Sequence, residues 1–127
     1  MEGLISAVQA YAEKKVPMIP AYFHESMVML PQSLILRVFV ENRKVKAETS
    51  ERVYDIKKIL KEVEEKLDPT RFVRVSQSEI VNLKKVKSFD FSLSGTIRME
   101  LGNGTDTWVS RRRVKAVKDV LSGGGEL

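Results

Sequence analysis

Between Ser110 and Lys118 the chain reads SRRRVKAVK, and the stretch from Arg111 to Lys118 holds five cations and no acid. Ser110 is a helix-cap residue type, and Val114, Val117 and Leu121 follow it at helical spacing. Arg111, Arg112 and Arg113 therefore fall in the first turn of a predicted helix, at the positive end of its dipole. Each cation there costs about 0.3–1 kcal/mol. Free backbone N–H groups at that end attract anions, so a phosphate backbone would turn the cost into binding energy. A solvated, mildly unfavourable surface is the alternative. A second cluster lies in RFVRVSQSEIVN, from Arg71 to Asn82. Arg74, Ser76, Gln77 and Ser78 surround a strand end there. They are side chains suited to phosphate and base-edge contacts, and equally to an ordinary polar loop.

Other chemistry is poorly provided for. The chain has no cysteine and one histidine, His24, which excludes disulfides, thiolate metal sites, histidine triads and multi-histidine centres. His24 has no triad partners at a recognisable spacing and reads as a structural or surface residue. No glycine loop followed by lysine is present to cradle a nucleotide. The sequence is that of a non-enzyme with no cofactor and no metal site.

These clusters need a scaffold, and the pattern supplies mostly strands. Gly3 to Lys15 carries Leu4, Ala7, Val8 and Tyr11 on one helical face, and Pro17 and Pro20 then form a stiff connector. Residues 1–20 read as an appended helix and linker, 21–122 as the domain, and 123–127 as a flexible glycine-rich tail. Ser33 to Val40 alternates, the Glu41–Lys44 segment is a compact polar turn with Asn42 and Arg43 at its tip, and Val45 to Thr49 resumes the alternation. Ile56, Ile59, Leu60, Val63 and Leu67 predict a helix that Asp68-Pro69 ends. Strands are expected at Phe72–Val75, Val86–Leu93, Ile97–Leu101 and Thr105–Val109, the last two joined by the Gly102-Asn103-Gly104 turn. The fold class is mainly antiparallel β, with two or three short helices.

The 127 residues weigh 14.4 kDa and suit one such domain. The net charge is +5, and its placement is one-sided. Met1 to Thr70 has eleven Lys/Arg against eleven Asp/Glu, whereas Arg71 to Leu127 has eleven against six. A basic half favours a polyanion, nucleic acid before membrane. The longest apolar stretches fall far short of the roughly 20 residues needed to span a bilayer, and no secretory signal opens the chain. A cytoplasmic protein with no membrane partner is expected.

The segment Phe72-Val73-Arg74-Val75-Ser76-Gln77-Ser78-Glu79-Ile80-Val81-Asn82-Leu83 resembles the signature of the LytTR DNA-binding domain family. That signature reads phenylalanine, any residue, arginine, valine, commonly histidine-arginine-serine, two residues, then valine-asparagine. Downstream, the Asn-Gly turn and Trp108-Val109-Ser110-Arg111-Arg112 resemble the family's closing element. The likeness runs from about Ala21 to Leu121. It departs at Ser76, where the family often has histidine, and at Gln77, where it often has arginine.

The resemblance implies an elongated β-β-β sandwich of about ten short strands. It also implies sequence-specific binding of double-stranded DNA by loops that enter successive major grooves, in a bacterial transcriptional regulator that acts as a response-regulator output domain. The contact regions it implies are Asn42 and Arg43, the Ser76-Gln77-Ser78 loop, and the Arg111-Arg112 turn. Arg112 would read guanine, and Gln77 would read adenine or hold a phosphate. Arg74, Ser78, Arg111, Arg113 and Lys115 would mainly position. Asn82 would tie its own loop, and Phe72, Val75 and Val81 would be core. The implied partners are DNA with direct-repeat or paired sites, a second copy as a homodimer on DNA, and an upstream receiver domain or sensor kinase. A protein-interaction module that kept the fold and lost DNA reading is the alternative that Ser76 and Gln77 leave open.

Overall fold

The computed structural model describes residues 18–92 and 94–123. The helix expected at Gly3–Lys15, Leu93 and the tail after Gly123 lie outside the described residues. In chain order the elements are β1 (Ile19–Phe23), β2 (Ser26–Leu30), β3 (Arg37–Glu41), β4 (Lys44–Glu48), β5 (Val53–Ile56), α1 (Leu60–Lys66), β6 (Phe72–Ser76), β7 (Glu79–Asn82), β8 (Val86–Asp90), β9 (Ile97–Leu101), β10 (Asp106–Val109) and α2 (Val114–Gly123). Short 3-10 turns stand at Gln32–Leu34, Leu83–Lys85 and Arg111–Arg113.

The strands form a seven-stranded sheet, ordered β2-β1-β5-β4-β3-β7-β6, and a three-stranded sheet, ordered β10-β9-β8. Every pairing is antiparallel. The β1–β2 hairpin joins the larger sheet through one residue pair, Tyr22 opposite Asp55. One core gathers Ile19, Ile35, Val38, Val63, Phe72 and Ile80 beneath α1. The other gathers Leu36, Val75, Val81, Met99, Val109 and Val117 between the smaller sheet and α2. Phe72, Val75 and Val81 are thus core, as expected.

Four expectations shift. Ser33–Val40 is not one strand: Gln32–Leu34 turns as a 3-10 helix, Leu34 is exposed, and β3 begins at Arg37. Ile35 and Leu36 are both buried because the chain passes between the two cores there, so alternation fails. The helix begins at Leu60 rather than Ile56, which ends β5, a strand the pattern had hidden. Glu62 accepts the Ile59 N–H at 3.4 Å and fixes that start. Pro20 stands inside β1 opposite Met29 rather than in a linker, a place proline tolerates near the start of a strand that pairs with β5 only at Tyr22. β8 stops at Asp90, and Phe91 is exposed.

The buried polar side chains have structural work. Gln32 donates from Nε2 to the Lys66 carbonyl at 2.9 Å and accepts from the Asp68 N–H at 2.9 Å, closing the end of α1. Asn82 donates to the Ile35 carbonyl at 2.9 Å and accepts from Lys84 N–H at 3.0 Å. It ties its own turn, as expected, and also a segment 47 residues away.

Candidate nucleic-acid interface

The Glu41–Lys44 segment folds as the expected hairpin between β3 and β4. Asn42 (φ 53°) and Arg43 (φ 66°) both take left-handed backbone, the geometry of the two-residue turn that suits strand twist. Glycine is the easy occupant of the second place. Arginine there bears a cost of about 1–2 kcal/mol and holds an exposed cation at the tip.

The second turn, Ser76-Gln77-Ser78, lies beside it. β3 and β7 pair antiparallel, and the Val40 N–H donates to the Ser78 carbonyl at 2.9 Å. The two hairpins are two strand spacings apart, about 10 Å. Ser76 Oγ accepts the Ser78 N–H at 3.2 Å, so that hydroxyl shapes the loop while Gln77 and Ser78 stay exposed. Arg74 is turned back. Its guanidinium meets Glu64 at 3.2 Å and the Gln77 carbonyl at 3.3 Å, and its side chain is 16% exposed. It braces the loop against α1.

The third turn is held by an irregularity in the second hairpin. The β6–β7 ladder slips between Arg74 and Ser76, which leaves Val75 without a cross-strand partner. The Val75 carbonyl accepts the Ser110 N–H at 2.8 Å instead. The arginines follow at once, as a 3-10 turn that precedes α2 rather than as its first turn. Ser110 makes no side-chain cap hydrogen bond; its backbone N–H goes to Val75. Arg111 and Arg112 are exposed, and Arg113 is half-buried. Lys115 is exposed and pairs with Asp119 at 3.2 Å, one helical turn on. Gly95 (φ 77°) packs beneath Arg111, where a Cβ would meet Nε at 3.2 Å. That close approach was invisible in the sequence.

A charged junction locks the row to the body. Arg37 donates to Glu48 at 2.7 Å and to Glu79 at 3.1 Å. Glu48 also accepts from Asn103 at 2.6 Å and Thr105 at 2.8 Å, and Glu79 accepts from Thr107 at 2.8 Å. The junction thereby fastens β3, β4 and β7 to the β9–β10 hairpin. Burial alone would raise the Glu48 carboxyl, but hydrogen bonds from Asn103, Arg37 and Thr105 outweigh it and hold it below the usual carboxylate range. Burial opposes the Arg37 charge, and its two carboxylates overcome that and raise it. Glu79, at the foot of the second turn, is thus engaged by Arg37 and Thr107.

The three regions expected from sequence therefore stand side by side: Asn42 and Arg43, then Gln77 and Ser78, then Arg111 and Arg112. Among the described residues no group of three His, Asp or Glu side chains could hold a metal ion, and no helix is long and apolar enough to cross a membrane.

A family model described as the LytTr DNA-binding domain matches residues 25–122. The chain belongs to the LytTR family. An uncharacterized HTH-type transcriptional regulator of Staphylococcus aureus (strain NCTC 8325 / PS 47) is 32% identical over 122 residues, covering 96% of this chain and 81% of that protein. The counterpart in the bovine strain RF122 / ET3-1 is 31% identical over the same spans. A solved LytTr DNA-binding domain from Bacillus cereus has the same fold, with a TM-score of 0.78 at 21% identity, over 83% of this chain and 96% of that one. The relatives are named for a helix-turn-helix. In this LytTR chain the two described helices are separated by five strands; Arg43 stands in a turn between strands, and Arg111 and Arg112 in the 3-10 turn between β10 and α2.

Proposed function

We propose that this LytTR domain binds double-stranded DNA sequence-specifically through its row of three turns, as a transcriptional regulator without catalysis. The observation that carries the reading is the pair of backbone hydrogen bonds, Val40 to Ser78 and Ser110 to Val75, that sets the three turns in one row. Arg112 reads guanine by a bidentate contact, and Gln77 reads adenine or holds a phosphate. Asn42, Arg43, Ser78, Arg111, Arg113 and Lys115 meet the sugar-phosphate backbone and set register. Arg74 and Ser76 shape the middle loop. The outer turns enter successive major grooves, with the middle one between them. The protein works in the cytoplasm as a response-regulator output module, and two copies engage a direct repeat or paired sites. Its input comes from a receiver domain or a sensor kinase.

A mobility-shift selection from random DNA tests this. The expected result is enrichment of a defined site whose binding falls steeply between about 50 and 200 mM salt. Retention that ignores both sequence and salt refutes it. Capture of a protein partner with no DNA retention at low salt would favour the interaction-module alternative.

A further inference from the structure

Beyond the first turn the basic surface continues along the same end of the larger sheet. The β4–β5 ladder closes with Val45 opposite Ile56, and Lys44 and Lys57 stand one step past that pair, one on each strand. The Arg43 tip and the β5–α1 connection are therefore neighbours, about one strand spacing, or 5 Å, apart. A trough of about 490 Å³ opens between them, and its charged lining is Arg43, Lys44, Lys57 and Lys58 with the acids Asp55 and Glu62. All four cations are exposed. Asp55 is taken up by Lys46 at 2.9 Å, and Glu62 accepts the Ile59 N–H at 3.4 Å. Among the described residues no carboxylate forms an ion pair with Arg43, Lys44, Lys57 or Lys58. The Asp55 carboxyl is held below its usual range, first by the Lys46 hydrogen bond, with the charges of Lys44 and Lys57 adding to it. Lys57 lies over the Tyr22 ring at 4.3 Å, which keeps its ammonium at the rim. Like charges set across a strand pair are destabilising, and an anion shared between them removes the cost.

We propose that this trough is a fourth DNA contact, which takes phosphates of the duplex flank just outside the groove entered by the first turn. It rests on the reading that the domain binds DNA through its row of three turns. Strand order places it. In the order β5-β4-β3-β7-β6, the β6–β7 turn and the β3–β4 turn lie at one end of the sheet, tied by the Val40–Ser78 bond. Lys57 and Lys58 leave β5 at that same end, because Ile56 pairs with Val45 at the foot of the first turn. The row of Arg111, Gln77 and Arg43 thus runs on to Lys57 and Lys58. One more strand spacing, about 5 Å, spans between one and two of the roughly 3.4 Å steps of a DNA strand. A lysine ammonium is a point charge without arginine's fork, so it suits a phosphate better than a base edge. The contact adds affinity and salt dependence and leaves base preference as it is.

The full chain is compared with Lys57→Gln/Lys58→Gln by fluorescence anisotropy on the selected duplex with long flanks, across a salt series. The slope of log affinity against log salt should fall in magnitude by about 0.9 per lysine, which makes binding about 60-fold weaker at 0.1 M salt. The affinity ratio between matched and scrambled duplexes should stay parental. Lys57→Arg/Lys58→Arg should keep the parental slope. Lys84→Gln/Lys87→Gln removes the same charge near the β9–β10 turn, which meets Glu48 at the far end of β4, and should also keep it. Neutral methylphosphonate links in the flank on the Arg43 side should weaken the parent and leave the Lys57→Gln/Lys58→Gln variant unaffected. A parental slope in that variant, an equal loss in the control, a changed base preference, or methylphosphonates that weaken both proteins alike would overturn the proposal. A parent that neither selects a site nor responds to salt would overturn the DNA-binding reading itself, and the proposal with it.

Discussion

Arg43 concentrates a conflict between stability and binding, and Arg43→Gly separates the two. Its backbone sits at φ 66°, where a side-chain-bearing residue costs about 1–2 kcal/mol. Glycine removes that strain but brings an unfolded state with more freedom, worth roughly 0.5–1 kcal/mol in the other direction. The net gain is about 0.5–1 kcal/mol. For a domain of this size that raises Tm by about 2–8 °C, readable by thermal denaturation. On DNA the same change removes one cation. The slope of log affinity against log salt should fall in magnitude by about 0.9, which corresponds to roughly eightfold weaker binding at 0.1 M salt and little loss near 1 M. Fluorescence anisotropy across a salt series measures both quantities. A variant that melts lower than the parent, or that keeps the parental slope, refutes the claim that strain is tolerated here for the sake of a charge.

Arg37→Met strands two mostly buried carboxylates, side chains of Glu48 and Glu79 that are 10% and 13% exposed. It should cost about 3 kcal/mol by denaturant unfolding, the low end for a broken buried pair because Asn103, Thr105 and Thr107 still donate. The Glu48 carboxyl is held below its ordinary value, so its contribution is present above about pH 4.5 and is lost as pH falls through the folded pKa. Melting scans from pH 7 to pH 3 should show that acid loss in the parent and a smaller one in Glu48→Gln. Arg112→Ala should cost about 1–3 kcal/mol at the selected site and relax base preference, whereas Lys115→Ala should weaken all sequences alike; anisotropy on matched and scrambled duplexes distinguishes them. Asn82→Ala leaves the Ile35 carbonyl and the Lys84 N–H without their partner and should destabilise by about 1–3 kcal/mol in urea melts, with little effect on DNA contact beyond the loss of fold.

The hairpin at Asn42 and Arg43 was legible because a short polar turn between alternating runs leaves few other geometries. The strand character of Ile97–Leu101 was legible because it alternates along its length. β5 was not, because Val53 is exposed and only Ile56 of its four residues is fully buried. The Ile35-Leu36 crossing could not be seen either: two adjacent buried residues serve two cores, and periodicity knows only one. At the interface, sequence named the residues of all three turns but not what joins them. The Ser110–Val75 bond depends on a slip in a ladder, and the Arg37 junction joins residues up to 57 positions apart. Nor could residue types show that Arg74 faces inward while Arg111 faces out, since that depends on Glu64 and Gly95.

The contacts that space the three turns are amide to carbonyl, and none involves a residue's own chemistry. Exchanging what stands at positions 42, 43, 77, 111 or 112 leaves the ruler untouched while changing what is measured with it. A single scaffold could therefore be retargeted by rewriting a handful of tips, with the interval between the words it reads fixed in advance. Inserting or deleting one residue in β6 would do the reverse, keeping every tip and destroying the interval.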